Sequence, residues 1–460
     1  MKYFLWIVLL PFFVFAVNDK DPSLLPQSPR TLLKKGLPRP YIQLSNYSNQ
    51  CKKRALEKMG WSFHSNQNFS LDFEFSFAKK DLQFRCNETI KNKIELPDDI
   101  LEEKKNQQEQ KKWFDQILLS KQTQCLFQSA YHAAFEKSLK SIESNFFHFF
   151  YTLQSGEIVR LDYLSNEWKK LQCDSKMSCY QPQAGRLHHA MEALSKTWIA
   201  TDCAVGSQIL QYMSIWELFG NKLAALEFSE NQFLMGHWDD INSSESVLYG
   251  LKSDKVISKN GLNYLASGKE TFIGSSGFIG ADKPELVDDK NNANENFVWV
   301  RTTQKALSDF QNQGGDVGYD SLLENIWEKG RHLHRSELKG ILSLIESNEL
   351  HDDVDELTLR SAILRKAREQ SIMPSQAALK FVKEIQNPFL METDVYVHPT
   401  GVRPILWHVI RLILLNPRTP YYWRFYDDGI HAEIFDRWVK WNLDQCETDV
   451  LLKHNVGVHQ

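Results

Sequence analysis

Between Cys203 and Phe219 the apolar side chains Val205, Ile209, Tyr212, Met213, Trp216 and Phe219 recur at spacings of three and four. That period predicts an amphipathic helix with one buried stripe. Asp202 precedes it as a favoured N-cap, and Gly220 follows as a fitting stop. Upstream, "DDILEEKKNQQEQKKWFDQILLS" predicts a charged helix with acids early and lysines late, which suits the macrodipole. A second helix follows over "CLFQSAYHAAFEKSLKSIESNFF", and a third over residues 184–197. Elsewhere the period is two. "SLDFEFSF" alternates like a short strand, and "HFFYTLQSGEIVRLDYL" reads as a hairpin turning at Ser155-Gly156. Residues 271–280 and 295–301 read as strands, and from about residue 303 the pattern is mostly helical. Within that region "PILWHVIRLILLNP" carries His408 and Arg411, so it predicts a core helix rather than a membrane span.

Composition refines this organisation. The chain has 460 residues, 42% hydrophobic and 24% charged, as in an ordinary globular protein of two or three domains. A net charge of −4 leaves no basic footprint for nucleic acid. The N-terminus joins Lys2 to an apolar run from Tyr3 to Phe15, and Val14-Phe15-Ala16 fits signal-peptidase cleavage after Ala16. Residues 1–16 are therefore expected to be a signal peptide directing export, with no membrane span beyond it. A proline-bearing linker over 17–50 and an N-terminal region of unassigned role over 51–120 follow. A mixed helix and strand region over 121–315 and a helical region over 316–460 complete the expected plan. Export permits disulfides. The seven cysteines are odd in number, so at least one has no intramolecular partner.

Cys203 is the candidate for chemistry. A thiol at a helix start meets unused backbone N–H groups and the positive end of the macrodipole, both favouring the thiolate. Asp202 beside it reads as an N-cap or as an acid able to protonate a substrate group. The chain lacks HExxH, CxxC, GxxxxGK[ST] and GxGxxG patterns, so no metal and no bound cofactor are expected.

The run Asp202, Cys203, Ala204, Tyr212, Gly220 resembles the active-site helix of the bacterial spore-coat protein-glutamine transglutaminases. Trp238 in "GHWDD", the stretch "TFIGSSGFIGADKPEL", the pair Glu295-Asn296 in "NENFVWV" and the upstream hairpin follow in the family's order. The resemblance spans about residues 145–301. It implies an α+β, papain-like (NlpC/P60-type) core, with the nucleophile at the start of a central helix packed on an antiparallel sheet. It also implies that Cys203 is the nucleophile, that Glu295 and Asp202 take the places of family glutamates, and that the partners are proteins carrying glutamine and lysine side chains. The chain departs from the family in two respects, of which the first is that Asp202 is one methylene shorter than the glutamate whose place it takes. The other is a histidine expected shortly after the second glutamate, where "RTTQKALSDF" has none. His332 and His334 come next in a helical stretch, His431 in "DDGIHAEIF" is a loose candidate, and His188 and His189 precede the nucleophile helix.

Three functions stay open on these grounds. An exported transglutaminase would pass the Cys203 thioester to a lysine amine. A papain-like peptidase or amidase would pass it to water. A non-catalytic secreted interaction protein would keep the fold alone.

Overall fold

The computed structural model describes residues 42–63, 100–143, 164–172, 178–197, 203–220, 228–236, 276–288, 294–314, 316–350, 375–425 and 434–446, together with short segments between them. At its centre lies a five-stranded sheet of β1 (Ser276–Ala281), β2 (Asn294–Arg301), β3 (Asp394–Val397), β4 (Gly401–Pro404) and β5 (Tyr421–Phe425). The spatial order is β4-β3-β2-β1-β5, and every neighbouring pair is antiparallel. The pleat sends alternate side chains to opposite faces. Val298, Val300 and Tyr396 join one hydrophobic cluster, while Phe297, Trp299, Val395 and Val397 join another.

Helices cover both faces. On the first lie α1 (Asn49–Met59), α2 (Ile100–Leu118), α3 (Lys121–Glu143), α4 (Leu187–Leu194) and α5 (Cys203–Leu218). On the second lie α6 (Gln304–Asn312), α7 (Asp316–Gly330), α8 (Arg335–Glu346), α9 (Gln376–Glu384), α10 (Pro388–Glu392) and α11 (Ile405–Leu415). The last described helix, α12 (434–446), returns to the first face through Ile434, Phe435, Trp438, Val439 and Leu443. The class is α+β with antiparallel sheets.

Several expectations recur as elements. The charged segment is α2, the segment after it α3, and residues 404–417 hold the core helix α11. The predicted hairpin pairs Tyr151–Thr152 with Ile158–Val159, a register centred on Ser155. Three readings change. "SLDFEFSF" is split between two short strands, Phe69–Ser70 and Glu74–Phe75, which belong to different sheets. The single stripe expected on α5 is instead burial on all sides from Ala204 to Trp216, because α3, α4 and the sheet enclose it. The helical region expected over 316–460 contains β3, β4 and β5, so strands from both sides of residue 315 share one sheet. These strands are four or five residues long, too short to impose a visible period on a helix-rich stretch.

Cysteine placement follows the odd count. Cys51 and Cys446 form a disulfide, Cys179 is disulfide-bonded, and Cys203 keeps its thiol.

Candidate active site

Helix α5 carries Cys203 as its first residue, half-buried. The chain enters through the strand Ile199–Thr201, which pairs in parallel with Phe147–Phe149. The helix is all but enclosed, so its polar side chains must find partners inside the protein. Gln208 donates from Nε2 to Gly236 O at 2.8 Å and accepts from Gly236 N at 3.0 Å. Gln211 donates to Gly274 O at 2.7 Å, and the Tyr212 hydroxyl to Leu234 O at 2.7 Å. Ser207 returns its hydroxyl to Cys203 O at 2.8 Å. The family-like tyrosine is thus an anchor that ties α5 to the loop 228–236. That loop is itself bridged to Tyr180 through Met235.

Two residues from the sheet reach the start of α5. The Asn296 side chain donates from Nδ2 to the Cys203 thiol sulfur at 3.5 Å. His398, buried and directly after β3, lies against Gly206, one turn into α5. A Cβ at Gly206 would stand 2.7 Å from His398 Cβ, 2.8 Å from Cγ and 3.2 Å from Cδ2. Only glycine admits that approach. The Cδ2 edge, the side of the ring that carries Nε2, is turned to the helix. On the other side, Nδ1 lies 3.5 Å from the Tyr396 hydroxyl. The two sheet residues are also neighbours of each other. Val298 pairs with Tyr396, and continuing that antiparallel register by two residues sets Asn296 beside His398 on the face toward α5. A carboxamide therefore meets the thiol at the helix start, and an imidazole is seated one helical turn along. This constellation can activate a nucleophile and move a proton.

Glu295 requires a correction. It precedes Asn296 by one residue, so the pleat sends it to the opposite face of the sheet, away from Cys203. There it pairs with Arg411 and lies 3.4 Å from His408 Nδ1, both on α11. Burial pushes its carboxyl up, but hydrogen bonding and charge from His408 and Arg411 outweigh this and hold it below the usual carboxylate range. His408 is itself pushed down by burial. These groups form a buried network between sheet and helix rather than a partner for the thiol. Asp202, Trp238 and His431 lie outside the described residues. His188 stacks on Trp216 and lies 3.5 Å from Glu192, about 20 Å along the α5 axis from Cys203 at the standard helical rise. His334 caps α8, accepting from Ser336 N at 3.3 Å.

His398 is the residue the sequence reading missed. The helices α6 to α10 occupy the connection between β2 and its neighbour β3, so His398 lies far from Glu295 in sequence although the strand before it pairs with β2. The signal is present in "DVYVHPTGV", an apolar strand ending in histidine, but only the strand pairing connects it to Cys203. Among the described residues no group of three or more His, Cys, Asp or Glu side chains could hold a metal, and no helix is long and apolar enough to cross a membrane. No family model, curated protein or solved structure matches the chain.

Proposed function

We propose that the chain is a papain-like, thiol-dependent acyltransferase, with Cys203 as nucleophile and His398 as its general base and acid. The observation that carries this reading is the seating of His398 against Gly206, one helical turn from Cys203. His398 takes the thiol proton. The sulfur adds to the carbonyl carbon of a glutamine carboxamide. Collapse of the adduct breaks the C–N bond, and the nitrogen leaves as ammonia with the proton returned by the imidazolium. A lysine amine then attacks the thioester, His398 accepts its proton, and an isopeptide link replaces the carbon–sulfur bond. Splitting the exchange into two steps lowers each barrier. The amine acceptor rests on the resemblance over residues 145–301. The N-terminal segment supports action on proteins outside the cytoplasm.

The same thioester serves an amidase if water is the acceptor. The non-catalytic alternative drew on the absence of a histidine, and His398 removes that motive. Purified protein incubated with a glutamine-rich protein and a labelled primary amine should incorporate the amine. Cys203→Ala should abolish incorporation, and His398→Ala should reduce it about 10²- to 10⁴-fold, the range for a lost acid–base group. Release of ammonia without incorporation would turn the reading to hydrolysis. Failure of Cys203 to accept any acyl group would overturn it.

A further inference from the structure

We infer that Asn296 is the side-chain oxyanion donor of this site, a catalytic residue for acyl transfer at Cys203. The inference rests on the acyl-transfer reading above and deepens it. In the resting protein the Asn296 Nδ2 group is 3.5 Å from the Cys203 sulfur. When that sulfur bonds to a carbonyl carbon, the carbonyl π pair moves onto oxygen. The new oxyanion is then one atom removed from the sulfur, within reach of any donor that touched it before. Asn296 has such a donor and carries no charge to neutralise the thiolate. A second donor set lies alongside, because the first backbone N–H groups of α5 have no partner within the helix. Together they make a two-sided cradle of the kind that stabilises tetrahedral adducts.

The placement of Asn296 is suited to this task. It sits in β2, paired with Phe278 of β1 on one side, while β3 flanks β2 on the other. A donor on a doubly paired strand holds its position without reorganising as charge develops. Its neighbour Glu295 is locked to Arg411 and His408 on the far face, which fixes the strand's rotation and keeps the carboxamide toward Cys203. An acid on the near face would repel the oxyanion. The pair Glu295-Asn296 therefore divides its work, with the charged member holding the strand and the neutral member facing the chemistry.

Two thiol reactions separate this role from a merely structural one. Alkylation by iodoacetamide displaces iodide at a saturated carbon and develops no oxyanion. Acylation by p-nitrophenyl acetate passes through one. Both are followed on the full chain as modification of Cys203, with Cys203→Ala as the blank. In Asn296→Ala and in the nearly isosteric Asn296→Leu, acylation should fall about 10²- to 10³-fold, the usual loss for one oxyanion donor. Alkylation should fall far less, by a few-fold at most, because it loses only the hydrogen bond from Asn296 to the sulfur and no oxyanion stabilisation. Parallel loss in both reactions for both variants would overturn the assignment and make Asn296 a support for the thiol or the fold. Unchanged acylation in either variant would also overturn it while leaving the acyl-transfer reading intact. A wild-type Cys203 that alkylates but never acylates would instead sink the acyl-transfer reading, and this inference with it.

Discussion

At the scale of single residues, Gly206 is the most exposed to test. Its hydrogen occupies space that a methyl group would contest with His398 Cβ at 2.7 Å. The neighbour is the stem of a buried ring directly after a strand, so it cannot swing away. Gly206→Ala should improve local helix propensity yet force His398 outward, costing about 1–3 kcal/mol as overpacking does. A displacement near 1 Å at a catalytic base is worth roughly 10²-fold in rate. We expect Gly206→Ala to remain folded by circular dichroism, unfold at lower denaturant, and lose thiol acylation far more than it loses stability. A variant as active as the wild type would show that His398 does not serve Cys203. The start of α5 at Cys203 was legible in sequence because a helix start is a local pattern. His398 was not, because its relation to Cys203 exists only through the pairing of β2 with β3. Expecting Glu295 to reach Cys203 is a one-residue error in facing, since its neighbour Asn296 is the residue that meets the thiol. A strand buried on both faces offers no polar alternation to set that choice.

At the scale of elements, the seam between α3 and the sheet carries a titration that should govern acid stability. Arg301 at the end of β2 gives Nε and Nη2 to the Glu136 carboxylate at 3.0 and 3.1 Å. His132, one turn earlier on α3, is buried beside this pair. Burial lowers its pKa from 6.5 to about 3, against a hydrogen bond donated by the ring to the Val300 backbone carbonyl, which raises it, and with the Arg301 charge that lowers it further. A histidine held neutral in the fold takes up no proton as pH falls below 6.5, whereas the unfolded chain does. The unfolded state then binds more protons, so stability declines with falling pH across the window from about 6.5 to about 3. Buried His408, lowered in the same direction, adds to the effect. The His132 contribution is at most roughly 5 kcal/mol across the full window, at 1.36 kcal/mol per unit. Urea unfolding at a series of pH values should show this decline. His132→Gln should flatten the slope below pH 6.5, and an identical slope in wild type and variant would remove His132 as its cause. The helices on either side of this seam were readable from their periods. Their stacking was not, since α5 is apolar enough on every side to pack in any direction.

At the scale of the whole molecule, the two ends of the described chain close onto one core. Ala55, Leu56 and Met59 of α1 share a hydrophobic cluster with Phe435, Trp438 and Val439 of α12 and with α5. Lys52, wholly buried, pairs with Asp115 of α2 at 2.5 Å. The N-terminal region over 51–120, whose role sequence left open, therefore has α1 and α2 built into the layer that houses Cys203. Sequence gave no sign of this, because segments far apart along the chain carry no local mark of shared packing. The disulfide Cys51–Cys446 seals the arrangement, with Cα atoms 5.4 Å apart and 395 residues between them. Constraining so long a loop removes much of the unfolded chain's freedom, and the loop-entropy relation puts the ideal gain at about 6 kcal/mol, just above the range usually realised. Cys446→Ser should thus lower the free energy of unfolding by about 3–5 kcal/mol, the usual cost of losing a native disulfide, measured in denaturant without reductant. Dithiothreitol should shift the wild type at least as far. The bridge joins α1 to α12 and supplies no group to the chemistry proposed at Cys203, so the variant should still alkylate at Cys203 at the wild-type rate below its unfolding transition. A large stability loss with intact thiol reactivity is the outcome this architecture requires. Coincident unfolding midpoints for wild type and variant would mean that the shared core alone, without the bridge, holds the two ends together.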